Sequence, residues 1–155
     1  MVSKTPSQSS VEMTELVLPN DTNLLGNLLG GRLLHWIDIA GAMAAQRHCN
    51  NIVATAAIDS VEFRRPVHVG DIVRLKASVT WVGRTSLEIA VEVFAEDCRT
   101  GIMRFTNKAY LTFVAIGNEG KPTEVPPLSP ETSDEINEYQ MAYERRKKRL
   151  DNKKD

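Results

Sequence analysis

The sequence has little with which to cross-link itself, cross a bilayer or grip a polyanion. Cys49 and Cys98 are its only cysteines. Two thiols without framework spacing are expected to be free, in a reducing compartment such as the cytoplasm. Neither stands in a C-x-x-C pattern, and His35, His48 and His68 lack metal-ligand spacing. No metal and no cofactor is expected. No apolar run approaches the ~18 residues of a membrane-spanning helix. Met1 to Ser10 is polar and shows no signal-peptide core. With 19 basic and 20 acidic residues the net charge is −1. Such a balance argues against nucleic-acid binding as the main task and leaves room only for a local patch.

What is present fits one α+β domain. The Ser-rich residues 1–10 read as a mobile arm. Val11 to Leu18 reads as a strand, ended by the Pro19-Asn20-Asp21 turn cluster. A Gly- and Asn-rich loop follows, and its leucines are expected to pack inward. From Gly30 or Gly31 to about Cys49 the residues favour helix and are apolar nearly all round, so a buried helix is predicted. Four strand patterns come next: Ile52 to Pro66, bent near Asp59; Ile72 to Trp81; Leu87 to Ala95; and Met103 to Ala115. A tight turn with glycine at its first central position is expected at Val82-Gly83-Arg84-Thr85. This order makes an antiparallel sheet with one helix in its concave face. Residues 123–155 read as a Pro-rich linker and a charged, weakly docked helix, with Arg145 to Arg149 a solvated face.

Asp38 is the most informative residue. Its neighbours on the helix are small or apolar, apart from His35. A carboxylate in such surroundings is costly unless it is hydrogen-bonded or used. Burial would also move it towards the range of a general base. Two plainer readings stand beside this one: a position at an oligomer rim, or a structural pair with His35. Asn23, in the loop before the helix, suits a turn as well as a site. Gly30 and Gly31 put free N–H groups at a helix N-terminus, where negative charge is favoured.

The runs Pro19 to Gly31, Trp36-Ile37-Asp38, Ala45 to Cys49, Phe63 to Asp71, Gly83 to Ser86 and Asn107 to Ala115 occur in one order. Together they resemble the hotdog-fold acyl-CoA thioesterases of the brain acyl-CoA hydrolase type, over roughly residues 11–122. The resemblance implies a bent antiparallel sheet around a long helix. It implies hydrolysis of fatty acyl-CoA, of medium to long chain, to fatty acid and CoA. It further implies a homodimer with shared active sites, assembling as a trimer of dimers. Asn23 and Asp38, from different units, map onto the catalytic pair. Gly31 and Arg32 N–H groups would face the developing oxyanion. Arg64, Arg65, Arg84 and Lys108 are candidates for the CoA phosphates. The alternatives are a hotdog dehydratase pairing a histidine with an acid, and a non-catalytic acyl-CoA sensor.

Overall fold

The computed structural model describes residues 1–59, 61–63 and 65–152. A short helix α1 (Pro6–Ser9) leads into strand β1 (Val11–Leu16), a 3-10 turn (Pro19–Asp21) and the 20-residue helix α2 (Gly30–Cys49). Strands β2 (Ile52–Ile58), β3 (Ile72–Val82), β4 (Ser86–Glu96) and β5 (Met103–Ile116) follow, then helix α3 (Ser133–Asn152). The strands form one antiparallel sheet in the order β1-β3-β4-β5-β2. The sheet curls round α2, as a hotdog fold does.

Alternation decides what lies between helix and sheet. Val73, Leu75, Ala77 and Val79 on β3 face α2, with Leu87, Ile89, Val91 and Val93 on β4 and Ala109, Leu111 and Phe113 on β5; all are buried. Against them α2 sets Leu33, Ile37, Ala40, Ala44 and Ala45. Gly41 lets the sheet come close, because a Cβ there would stand 3.1 Å from the Phe113 ring.

The expected all-round burial of α2 does not hold. Its opposite stripe, with His35, Ile39, Met43 and Gln46, is exposed. β2 is an edge strand and most of its residues are also exposed, Ile52 among them at 70 %. One flank of the helix and one sheet edge are therefore open together.

Three register shifts change the pattern expected from sequence, one of them between Val93 and Phe94, which pairs Phe105 with Phe94. In β3 the register shifts between Val79 and Trp81, so Trp81 lies opposite Glu88 on the outer face, not beside Val79 on the inner one. The hairpin turn differs too. Gly83 does not take the positive φ of the expected turn type. Its N–H donates to Ser86 O at 2.8 Å. Glycine is needed there because a Cβ would stand 2.6 Å from the Trp81 ring. In β2 the shift falls between Thr55 and Ala57, and the strand ends at Ile58, well short of Pro66.

The two terminal segments are tied down, contrary to expectation. Lys4 Nζ donates to Arg47 O at 2.8 Å and Asn50 Oδ1 at 2.7 Å, at the C-terminus of α2. Lys4 also bridges Leu128. Val125 of the Pro-rich stretch enters the core, and its N–H donates to Arg84 O.

His48 is fully buried beneath this stretch, with Nε2 2.7 Å from Pro126 O. Since a carbonyl only accepts, Nε2 carries the proton. The ring thus ties the C-terminal end of α2 to the Pro-rich stretch. Burial pushes the imidazole below its usual 6.5, Pro126 O works the other way, and Lys4 adds to the lowering. The unfolded chain takes up a proton as pH falls through 6.5, and the folded chain does so only at lower pH. Stability from this group is thus full above that pH and declines below it. Urea midpoints at pH 7.5 and 5.5 are expected to fall further in the wild type than in His48→Asn. Equal falls would refute the assignment.

Candidate active site at the open edge of the central helix

The entry loop is built by short polar ties. Asp21 is nearly buried and accepts the Leu18 N–H at 2.9 Å. Its other oxygen meets Arg32 Nε at 3.3 Å, which joins loop to helix. Leu28 N–H donates to Val67 O at 2.7 Å, and His68 Nδ1 meets Asn27 Oδ1 at 2.9 Å. Gly26 takes φ +78°, the left-handed turn that lets the loop reverse.

Asn23 is exposed at the tip of this loop. Its Oδ1 accepts the N–H groups of Leu25 at 2.9 Å and Asn27 at 3.1 Å. The backbone role expected of an asparagine in a turn is therefore real. It consumes only the oxygen; among the described residues nothing accepts from the Nδ2 hydrogens. Beside it, Leu24 and Leu25 are exposed at 106 % and 83 %. The expectation that these leucines pack inward fails within the single chain; only Leu28 reaches the core.

Asp38 lies on α2 at the border of the open stripe and is half-buried. It is not enclosed by its own chain, as the sequence had suggested. Its partner is not His35. Thr55 Oγ1 donates to Asp38 Oδ1 at 2.7 Å. Thr55 pairs with the inward-facing Phe113, so it points at the helix, and the neighbouring bulge fits β2 to that approach. Among the described residues no donor meets Asp38 Oδ2. The carboxylate is thus oriented by one oxygen and open at the other. Thr55 escaped the sequence reading because a threonine in a strand is ordinary. Only the fold brings it to Asp38.

Among the described residues no hydrogen bond links Asn23 to Asp38. At the helix start, Arg32 N–H donates to Leu29 O at 3.1 Å. Among the described residues Gly31 N–H has no acceptor, and a Cβ built at Gly31 would meet nothing within 4 Å. Of the two expected oxyanion donors, Gly31 is the open one.

A cavity of about 420 Å³ lies beside this helix end, lined among others by Gly30, Leu33, Phe63, Arg65 and Asn107. Leu28 and Leu33 supply apolar wall. Of the four cations proposed for CoA, Arg65 reaches this cavity. Arg64 lies outside the described residues. Lys108 points to the outer face, 3.2 Å from Glu138 and over the Tyr110 ring. Arg84 sits in the β3–β4 hairpin, at the far end of the sheet. Lys108 and Arg84 therefore do not join the cavity of their own chain. Among the described residues no three His, Cys, Asp or Glu side chains cluster as a metal site would require.

An oriented carboxylate on the open flank of a helix, about two turns from that helix's N-terminus and its free N–H, is compatible with hydrolytic chemistry. Residues 25–102 match the model of the thioesterase superfamily. The chain belongs to the thioesterase superfamily. It is 40 % identical over 147 residues to an uncharacterised acyl-CoA thioester hydrolase of Bacillus subtilis, covering 95 % of this chain and 86 % of that one. It superposes on an apo-hexameric acyl-CoA thioesterase with TM-score 0.93 at 40 % identity, over 98 % of this chain and 97 % of the other. An acyl-CoA hydrolase from Staphylococcus aureus, solved with butyryl-CoA, CoA and CoA disulfide, gives TM-score 0.88 at 37 % identity over 98 % and 94 %. That hydrolase was also solved with an aspartate, an asparagine or a threonine changed to alanine. The asparagine lies fifteen residues before the aspartate and the threonine seventeen after it. In this thioesterase Asn23, Asp38 and Thr55 have the same spacings. No helix among the described residues is long and apolar enough to cross a membrane.

Proposed function

We propose that this chain hydrolyses acyl-CoA, releasing a carboxylic acid and CoA, with Asp38 as general base. The observation that carries the reading is the Thr55–Asp38 hydrogen bond, at the spacing of the threonine and aspartate changed in the Staphylococcus aureus hydrolase. Thr55 holds Oδ1, and Oδ2 takes a proton from water as its oxygen attacks the thioester carbon. The carbonyl becomes an oxyanion, and Gly31 N–H faces it at the positive end of α2. Collapse of that intermediate breaks the C–S bond. The thiolate leaves without needing an acid, and the proton held by Asp38 then passes to it, directly or through water, giving CoA and restoring the base. The chemistry requires neither a metal nor a cofactor.

The site is completed by a second copy. Leu24 and Leu25 stand exposed on the entry loop, Ile52 is exposed on β2, and Ile39 and Met43 leave an apolar flank open on α2 beside Asp38. In the homodimer the partner covers it and brings its own entry loop, so that the partner's Asn23 donates its free amide to water or carbonyl. Each chain carries both residues, and a two-fold dimer thus has two equal sites. Dimers join in threes. Medium to long acyl chains lie along the apolar flank, and Arg65 meets the CoA phosphates. Cys49 and Cys98 are both free, which supports a cytoplasmic enzyme.

Release of free thiol over acyl-CoAs of graded length tests the reading. Turnover rising from acetyl to medium and long chains is the expected result. Binding without thiol release would leave a sensor. Loss of water from a hydroxyacyl-CoA without thiol release would leave a dehydratase.

A further inference from the structure

Helix α3 faces the sheet with only part of its circumference. Ala142 is buried, and Glu138, Arg145 and Arg149 bond the outer face of the sheet. A different side of the helix carries Ile136, Tyr143 and Leu150, seven residues apart, exposed at 46 %, 53 % and 47 %. Tyr139 falls between the first two at coiled-coil spacing. A groove of about 460 Å³ runs beside Tyr139 and Tyr143. A solvated helix has no use for an apolar stripe at this period.

The charges of the same helix say what covers it. From Glu131 to Glu144 every charged residue is acidic: Glu131, Asp134, Glu135, Glu138 and Glu144. From Arg145 to Arg149 every residue is basic. Two copies side by side in parallel would set like against like. Glu138, Arg145, Arg146 and Arg149 are taken by the chain's own sheet. Of the charges left, two antiparallel copies set the Glu131, Asp134, Glu135 and Glu144 half of one towards Lys147 and Lys148 of the other, and their helix dipoles oppose favourably.

We propose that the Ile136–Tyr143–Leu150 stripe is a two-fold contact with α3 of a second copy, distinct from the contact that completes the active site. In the antiparallel register Tyr143 meets Tyr143 of the partner subunit, and Ile136 meets Leu150 of the partner subunit. Lys147 then lies beside Tyr139 of the partner subunit, where an ammonium over a ring is favoured. One two-fold contact at the open edge of α2 and a second through α3 join dimers to dimers. Such a chain closes into a ring when the two axes meet at the angle three dimers need. The inference deepens the proposed assembly but does not depend on the reaction.

Sedimentation equilibrium on the full chain tests it. The wild type is expected above dimer mass. Ile136→Lys with Tyr143→Lys is expected at dimer mass, with an unchanged circular dichroism spectrum because both side chains are exposed. Thiol release per chain is expected within about twofold of wild type. Tyr143→Cys, in a Cys98→Ser background, is expected to form a covalent dimer on mild oxidation, because the residue meets its own copy. Asp134→Cys in the same background opposes the far end of the partner helix and is expected to stay unlinked. A double lysine variant that keeps the wild-type mass would overturn the proposal. So would a wild type no larger than a dimer, or a Tyr143→Cys variant that does not cross-link. Absence of thiol release from every variant, with the masses as expected, would sink the reaction and leave this contact standing.

Discussion

Asp38→Ala is expected to lower kcat by about a thousandfold, within the range of a lost general base. The fold should survive, since the carboxylate is half-buried and among the described residues makes one hydrogen bond, to a threonine. Thr55→Ala leaves the base present but free to turn. Its expected loss is smaller, about tenfold, and falls on kcat more than on KM. Thr55→Ser keeps the hydroxyl and should restore most of the rate. Asn23→Ala is expected to cost about a hundredfold, as removal of one oxyanion-type donor does. Because Asn23 Oδ1 also closes the loop turn, Asn23→Asp is the sharper variant. It keeps the acceptor for Leu25 and Asn27, removes the amide donor and adds a negative charge, so its loss should be at least that of Asn23→Ala.

Mixing separates a shared site from a private one. An Asp38→Ala chain still offers its Asn23, and an Asn23→Asp chain still offers its Asp38. In a mixed dimer one of the two sites is then intact. After subunit exchange, which mass-tagged chains can verify, up to a quarter of wild-type turnover per chain is expected. This figure is simple counting: half of the dimers are mixed at equal input, and each holds one good site of two. Exchange without recovery would place both residues of each site in one chain. Full activity in Asp38→Ala would remove the base altogether.

The helix and the sheet were legible because their patterns are strong. Apolar alternation over Ile72–Val79 and Leu87–Ala95 allows one inward face, and the run from Gly30 to Cys49 has no proline. Asp38 was legible as a carboxylate among small apolar neighbours. Its environment was not, because the open flank is a property of the surface of the single chain. An apolar stripe reads the same whether its own sheet or a second chain covers it. Trp81 was misplaced because a bulge adds one residue to a strand without any sign in the alternation. Thr55 was missed because its partner is seventeen residues away and on another element. The tail was misread most. Five consecutive cations look like a solvated face, and Glu88 looks like the outward residue of an alternating strand. Each is polar alone, and only their meeting makes them interior.

That meeting sets the largest expected loss of stability. Glu88 is 1 % exposed under α3. Arg145 reaches Glu88 with Nη2 2.7 Å from Oε1 and Nε 3.1 Å from Oε2. Arg149 Nη2 meets Oε2 at 2.5 Å and also bonds Asp59. Thr80 Oγ1 donates to Oε1 at 2.6 Å. Both guanidinium groups are held above their usual range; burial opposes this, but Glu88 and their other acidic partners outweigh it. A buried carboxylate with two arginines is costly to strand. Removing one partner of such a pair costs roughly 3–5 kcal/mol, because the remaining charge keeps its desolvation penalty. Arg145→Met is therefore expected to lower Tm by about 10 °C, taking roughly 2–4 °C per kcal/mol at this size. Arg145→Met with Arg149→Met should go further and release α3 from the sheet, read as protease cleavage near residue 131. Glu88→Met added to that pair removes the stranded charge. A flat apolar contact then replaces the clamp, and most of the lost Tm should return. If the triple variant is no more stable than the double one, the charge of Glu88 was never the cost. If Arg145→Met melts with the wild type, α3 is held by Ala142 and its apolar neighbours, not by the clamp.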